Sequence, residues 1–305
     1  MNYLITGGTG TIGRQLVRTI YQSASKIVVY SRDEQKHKRM MDEFPEYPDN
    51  KMRYVVGDVR NYDRLYSAMR GIDCVIHCAA MKHIDVCEYN SFESTDININ
   101  GSSNVIKCAG ENSVRMAFMV STDKACLPVS IYGAQKYCAE QLFINANALY
   151  PQTQFNVMRY GNVFLSEGSI IAKWREMASK GVCLPVTDDR MTRFFWSIEQ
   201  ASNFIVTIVS VSILNQSRGI IFVPIMNKYK MVTLARQISK NFKIVGLRCI
   251  EKLHEDLISE PEAANTYELQ GFYMIYPHSR SFQVKIYGNK VPQGFKLTSE
   301  VENDL

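Results

Sequence analysis

Thr6-Gly7-Gly8-Thr9-Gly10-Thr11-Ile12-Gly13 follows directly on the apolar run Tyr3-Leu4-Ile5 and opens a segment in which Leu16, Val17 and Ile20 recur at helical spacing. Strand, glycine-rich turn and amphipathic helix in that order specify a dinucleotide-binding unit. Glycine at 7, 10 and 13 permits a tight turn, a close approach of backbone to pyrophosphate, and packing of helix on strand. The helix N-terminus then faces the phosphates, which makes Gly7, Thr9, Gly10, Thr11, Ile12 and Gly13 the candidate cofactor cradle.

Downstream of this unit, short apolar runs alternate with helical patterns. The runs predict strands at 3–6, 27–30, 54–56, 74–77, 117–121 and 155–159. A β-α-β-α-β order from the first residue gives an α/β fold with a doubly wound parallel sheet, in which ligands bind beyond the carboxyl ends of the strands. After about Gly161 the pattern is less regular, with helices predicted over 169–180 and 198–213 and a strand near 220–223. Residues 1–164 therefore read as the dinucleotide-binding domain. Residues 165–305 read as a smaller substrate lobe that returns at least once to the main sheet.

The 305 residues can bury a substantial core, and 46% hydrophobic with 21% charged residues is ordinary for a globular protein. Net charge is +5, with the cations scattered rather than gathered into an arm, which argues against nucleic acid and suits small anionic ligands. Met1 to Ile5 reaches the glycine loop too early for a signal peptide, and the weakly polar run from Phe204 to Leu214 is too short to span a bilayer. Eight cysteines without a Cys-x-x-Cys pair imply free thiols and no metal site. A cytoplasmic protein with no membrane partner is expected.

At the end of the second strand, where an acidic residue would accept from the adenosine ribose, stand Ser31 and Arg32. A hydroxyl and a cation there favour NADP, with Arg32 on the 2′-phosphate and Lys36 or Lys38 as further candidates. Asp33 speaks for NAD, and Ser31 with Glu34 also fits a helix capping box. Asp58, after the third strand, suits the adenine amino group or a plain turn.

Tyr132 and Lys136 lie four apart on a predicted helix and so project from one face. A nearby ammonium would favour the phenolate and let the tyrosine take a hydroxyl proton during hydride transfer. Tyr47 and Lys51 repeat the spacing, but a Pro48-Asp49-Asn50 turn forbids their alignment. Before the helix, Ser121-Thr122-Asp123-Lys124 ends a strand. Oxidation of a sugar at C4 makes its C5 proton acidic, and a base near C5 with an acid near the C6 hydroxyl can then eliminate water. Lys124 is the candidate base and Asp123 the candidate acid, each in its less usual protonation state, which burial promotes and their mutual attraction opposes. A surface Asp-Lys pair is the plain alternative. His77 ends an apolar strand and reads as a hydrogen-bonded core histidine.

Through these residues the chain resembles the C5-inverting UDP-N-acetylglucosamine 4,6-dehydratases of the extended short-chain dehydrogenase/reductase superfamily. The resemblance runs through the glycine loop, Gly57 to Arg60, His77 to His83, Ser121 to Ala125, Tyr132 to Lys136, Arg159 to Val163, Thr187 to Phe194, Glu251 to Glu255 and Val291 to Phe295. It implies that Thr122 orients the substrate, Asp123 is the acid, Lys124 the C5 base, and Tyr132 with Lys136 the redox pair. It places Val59, Ala79 and Ala80 with Ser31, Arg32, Lys36, Asp58 and the glycine loop around NADP, and Lys82, Asn162, Arg193, Arg248 and Glu251 around UDP-N-acetylglucosamine. A homo-oligomer, a dimer or an assembly of dimers, is implied as well.

Lysine rather than glutamate at 124 points to the N-acetylated substrate class. The chain departs from the pattern at Cys249-Ile250, where the family has Pro-Gly, at Glu167, where it usually has arginine, and at Leu127 and Gln135, where it usually has Asn and Thr. A nucleotide-sugar 4-epimerase or a UDP-glucose 4,6-dehydratase is the alternative reading. A catalytically silent NADP-binding regulator is an alternative of another class.

Overall fold

The computed structural model describes residues 1–44, 50–278 and 286–301. The first half is built from β1 (Asn2–Thr6), α1 (Thr11–Ile20), β2 (Lys26–Ser31), α2 (Glu34–Glu43), β3 (Met52–Val56), α3 (Tyr62–Ala68) and β4 (Cys74–His77). It continues with α4 (Ile84–Tyr89), α5 (Ser91–Thr95), a π-helical turn (Asp96–Asn100) and α6 (Gly101–Glu111). Next come β5 (Met116–Thr122), a 3-10 turn (Asp123–Ala125), α7 (Ile131–Leu149) and β6 (Gln154–Tyr160). Every strand expected here forms, β4 with the expected bounds and the others a residue or two longer at the ends, where fraying makes boundaries least determinate.

The second half comprises β7 (Asn162–Val163), α8 (Ile170–Ser179), β8 (Leu184–Val186), β9 (Thr192–Trp196), α9 (Ile198–Asn215), β10 (Ile221–Pro224), β11 (Asn227–Lys230) and α10 (Met231–Ile238). It closes with β12 (Phe242–Ile244), β13 (Asp256–Ile258), α11 (Glu260–Ala263), β14 (Thr266–Leu269), β15 (Phe272–Ile275), β16 (Asn289–Lys290) and β17 (Leu297–Thr298).

The main sheet runs β16-β14-β15-β10-β6-β5-β4-β1-β2-β3. It is parallel from β3 to β10 and antiparallel from β10 to β16. Strand order reverses at β1 between β2 and β4, so a crevice opens beyond their carboxyl ends. β10, β14, β15 and β16 bring the second half back to the sheet. A smaller apolar cluster around Trp174, Phe195 and Leu234 packs the lobe formed by α8, α10 and the short strands.

Local chemistry explains the helix ends. α1 buries Gly13, Leu16, Val17 and Ile20 on one face, and its N-cap, Gly10, makes no side-chain cap, which leaves the first N–H groups to an anion. α2 is capped by Asp33, whose side chain accepts from the Lys36 N–H, rather than by the expected Ser31 and Glu34 box. Ser31 is still in strand and its hydroxyl accepts from Thr9 at 2.8 Å. α9 is longer than the apolar run read from the sequence, and by length and composition alone could cross a membrane. Here it buries Ala201, Ile205, Ile208 and Val209 in the main core, and its Ser202 hydroxyl bonds Thr19 of α1 at 2.7 Å. Tyr47 lies outside the described residues; Lys51 sits over the Tyr21 ring at 4.4 Å.

Candidate active site

A groove of about 860 Å³ follows the crevice, within the size range of small-molecule sites. One end is the glycine loop. Gly7 adopts φ +63°, and a Cβ on Gly13 would lie 2.4 Å from the Gly8 carbonyl oxygen, so the helix can meet the strand only through glycine. Gly7, Thr9, Gly10, Thr11, Ile12, Gly13, Ser31, Arg32, Lys36, Asp58, Val59, Ala79 and Ala80 all line the groove, as do Tyr132 and Lys136. The uncapped helix start and the glycine cradle fit a dinucleotide pyrophosphate, and the groove is long enough to carry the rest of such a molecule to β5.

The cations meant for a 2′-phosphate are divided. Arg32 lies 3.5 Å from Asp58, whose carboxylate is also gripped by Arg60 at 2.8 Å. Lys36 pairs with Glu167 at 2.7 Å, whereas Lys38 pairs with Asp42 on the outside of α2 and is absent from the groove lining. Glu167 does more than bind Lys36. Its N–H meets the Thr11 hydroxyl at 3.0 Å, and its carbonyl oxygen accepts from Lys82 at 2.8 Å. One residue thereby bridges α1, α2 and the loop after β4.

At the other end, the strand β5 runs into the 3-10 turn, and the turn is pressed against α7. A Cβ on Gly133 would stand 2.3 Å from the Lys124 carbonyl oxygen, so this approach also requires glycine. Ser130 caps α7 by accepting from the Gly133 N–H. Leu127, which replaces asparagine, holds φ +47° between turn and helix, a conformation asparagine tolerates more easily. Gln135 is buried and fully engaged by Ser94, Thr95 and Asn98.

Asp123 is completely buried. Its Oδ1 accepts from Lys124 Nζ and from the Thr122 hydroxyl, each at 2.9 Å, while Oδ2 has no hydrogen-bond partner among the described residues. Lys124 lines the groove, with Glu255 3.5 Å from its Nζ on the far side. Burial opposes the Lys124 charge and is the largest single influence, yet Asp123 and Glu255 together outweigh it and raise the pKa above the ordinary lysine range. Attraction therefore prevails over burial in the resting protein. Tyr132 is pushed up to about 12, mainly by burial, and the cation that counters this is Lys124 rather than the expected Lys136. Lys136 donates to the Val120 carbonyl at 2.7 Å, and burial lowers it to about 8.

Of the residues expected around the sugar nucleotide, Lys82 and Asn162 line the groove, and Asn162 Oδ1 is buried without a partner. Arg193 lies behind Asp123 and Lys124, sharing Glu255 with the lysine. It donates to the backbone oxygens of Thr192, Lys252 and Leu253 and approaches Glu255 at 3.8 Å. Arg248 bridges Asp85 at 2.5 Å and Glu251 at 2.6 Å, also away from the groove lining. His77 is the core histidine expected, between Thr6 at 2.7 Å and Ser102 at 3.0 Å, and burial lowers its pKa to about 3.

Sequence reading assigned no role to Glu255 or Tyr160. Tyr160 lines the groove with a buried hydroxyl that has no hydrogen-bond partner among the described residues, and Glu255 is only 3% exposed. Both stand inside motifs already singled out, Arg159 to Val163 and Glu251 to Glu255, and that was the available signal.

Residues 3–277 match the family model described as polysaccharide biosynthesis protein. The chain is 41% identical to a UDP-N-acetylglucosamine 4,6-dehydratase (inverting) of Campylobacter jejuni, over 98% of this chain and 92% of that one. It is 34% identical to a UDP-glucose 4-epimerase of Rickettsia akari, over 89% of this chain and 82% of the relative. Among solved structures it resembles Pen from Bacillus thuringiensis, with TM-score 0.89, 32% identity, and coverage of 100% of this chain and 93% of the other.

Proposed function

The chain belongs to the polysaccharide biosynthesis protein family, and from that premise we propose that it is an NADP-dependent hydro-lyase that dehydrates UDP-N-acetylglucosamine across C5 and C6 with inversion at C5. The observation that carries this reading is the contact between Asp123 and Lys124 at 2.9 Å beside Tyr132, at the end of a dinucleotide groove. A nicotinamide dinucleotide held by the glycine loop, Arg32 and Asp58 would supply a hydride acceptor for C4 and a hydride donor for C6. Tyr132 receives the O4 proton as C4 is oxidised; burial holds its phenol up at about 12, and the Lys124 cation and the Thr122 hydrogen bond are the influences that favour its phenolate.

The acid and the base arise together. Shifting one proton from Lys124 Nζ to Asp123 Oδ1 turns an ion pair into an amine and a carboxylic acid. The amine removes the C5 proton, the C5–H electrons form the C5=C6 double bond, and the C6 hydroxyl leaves with the Asp123 proton as water. Reprotonation of C5 on the opposite face gives a UDP-linked 2-acetamido-2,6-dideoxy-4-keto-hexose, a precursor for deoxy-amino sugars.

Mass spectrometry over a substrate panel tests the reading. UDP-N-acetylglucosamine is expected to lose one water, and UDP-glucose none. In deuterated water the product should carry deuterium at C5 and show the L configuration by NMR. Retained configuration, or a C4 epimer of unchanged mass, would sink it; the latter would favour the epimerase reading that the Rickettsia relative supports. Tight cofactor binding without turnover of any sugar would leave the silent regulator.

Arg32 supports NADP over NAD, because it is 54% exposed at the groove and free to leave Asp58 for a phosphate. Arg32→Glu is expected to lower NADP affinity about 10- to 100-fold, the size of a lost charge-assisted hydrogen bond, and to leave NAD affinity within a few-fold, read by fluorescence titration. The cytoplasm is the proposed location, and the eight unpaired cysteines suit a reducing compartment. For the proposed homo-oligomer, exposed Tyr89, Phe92 and Tyr137 on the neighbouring helices α4, α5 and α7 offer an apolar face to a second copy.

A further inference from the structure

Glu255 lies just before β13, far along the chain from the turn that carries Lys124, yet its carboxylate lies beneath that amine. Three cations converge on it: Lys124 at 3.5 Å, Lys252 at 3.6 Å and Arg193 at 3.8 Å. It is held from both sides of its backbone, its N–H meeting the Ser299 hydroxyl at 2.8 Å and its carbonyl oxygen accepting from the Ser299 N–H at 2.7 Å. Among the described residues no donor hydrogen-bonds its Oε2, which lies 3.6 Å from Lys252 Nζ. A carboxylate buried this deeply and anchored at its backbone is a fixed charge.

We propose that Glu255 is a positioning residue for the elimination: it holds the Lys124 side chain at the groove wall and stabilises the ammonium that forms when Lys124 takes the C5 proton. The proposal rests on Lys124 being the C5 base. In that step the C5–H bond breaks, an Nζ–H bond forms, and water departs with the Asp123 proton, so the positive charge appears on Lys124 within reach of Glu255. Asp123 on the turn, Glu255, Arg193 on β9 and Tyr132 on α7 are the ionisable groups that face Lys124. The two carboxylates favour the ammonium, and Arg193 opposes it. Glu255 therefore makes Lys124 a stronger base at the expense of the fraction already neutral.

The test uses Glu255→Gln and two readouts on the full chain. Acylation of Lys124 by acetic anhydride, followed by peptide mass spectrometry in protein without substrate, reports the neutral amine. Its onset is expected at lower pH in Glu255→Gln than in the unsubstituted protein, because one attractive carboxylate is gone. With UDP-N-acetylglucosamine, kcat is expected to fall roughly tenfold with KM within twofold, the loss of one charge-assisted contact made late in the step. Glu255→Asp, which restores the charge one methylene further away, should move both readouts back toward the unsubstituted values, and it carries the test if the glutamine variant does not fold.

An unchanged labelling onset, or a shifted onset with unchanged kcat, overturns the role. Lys124→Ala in the same assay separates the two claims. If that variant still turns over, the base assignment fails; if it is inactive while Glu255→Gln behaves as the unsubstituted protein, the positioning role alone fails.

Discussion

Lys124→Ala is expected to abolish measurable dehydration, a fall of about 10²- to 10⁴-fold in kcat, the usual contribution of one general base. Deuterium should no longer enter C5. Dinucleotide affinity should stay within a few-fold, because the glycine loop, Arg32 and Asp58 lie toward the other end of the groove and make no contact with the amine. The substitution also removes a cation from between two buried carboxylates, Asp123 at 2.9 Å and Glu255 at 3.5 Å. Asp123 remains on its turn, but an acid without a base cannot expel the hydroxyl. Isotope uptake at C5 is thus the decisive measurement, and uptake at the unsubstituted rate would remove Lys124 from the mechanism.

Arg159→Met is expected to destabilise the fold by about 3–5 kcal/mol, the size found when one partner of a buried ion pair is removed. Arg159 is fully buried on β6 and binds Glu140 of α7 at 2.7 Å, Glu262 of α11 at 2.9 Å, and the Leu257 carbonyl of β13 at 3.1 Å. Methionine fills much of the space but leaves two carboxylates without their cation.

The pH dependence has a definite sign. In the unsubstituted protein burial pushes Glu262 upward, but Arg159 and Ser259 hold its pKa below the ordinary value. That stabilisation is present above the unfolded pKa and is lost as pH falls through the folded one. The variant lacks it, so its deficit should be largest near neutrality and shrink toward about pH 4, where glutamate takes up protons. Urea denaturation at several pH values checks this, and a deficit independent of pH would show that packing rather than charge holds these elements together.

The parallel half of the sheet was legible because each buried strand is a short apolar run and each helix repeats its apolar face every three to four residues. The glycine loop was legible for a different reason, since only glycine fits where the helix meets the strand. Errors arose where one local pattern could be satisfied in two ways. Ser31 and Glu34 have the spacing of a capping box, but Ser31 remains in strand and Asp33, two residues on, takes the cap. Tyr132 and Lys136 share a helical face, yet the cation acting on the phenol comes from the preceding turn.

Glu255 stood inside a motif that was singled out, but its place at the site was hidden for a topological reason. Glu251-Lys252-Leu253-His254-Glu255 has the composition of a solvated surface segment, and only the packing of β13 against the 3-10 turn and β17 buries it. Arg193 was expected around the sugar nucleotide from the resemblance. The backbone carbonyls that occupy it instead come from Lys252 and Leu253, which no local pattern reveals.

The bridge made by Glu167 bears on how the proposed dehydratase would hold a dinucleotide. An ordinary dehydrogenase must release a spent coenzyme and admit a fresh one in every cycle, so a cover over the groove would slow it. A dehydratase that hands its hydride back has nothing to exchange, and a clasp joining Thr11, Lys36 and Lys82 does not hinder it. Under the proposed reaction one coenzyme molecule would serve as a permanent tenant through many rounds, and the balance of oxidised and reduced pools in the cell would have no hold over the flux.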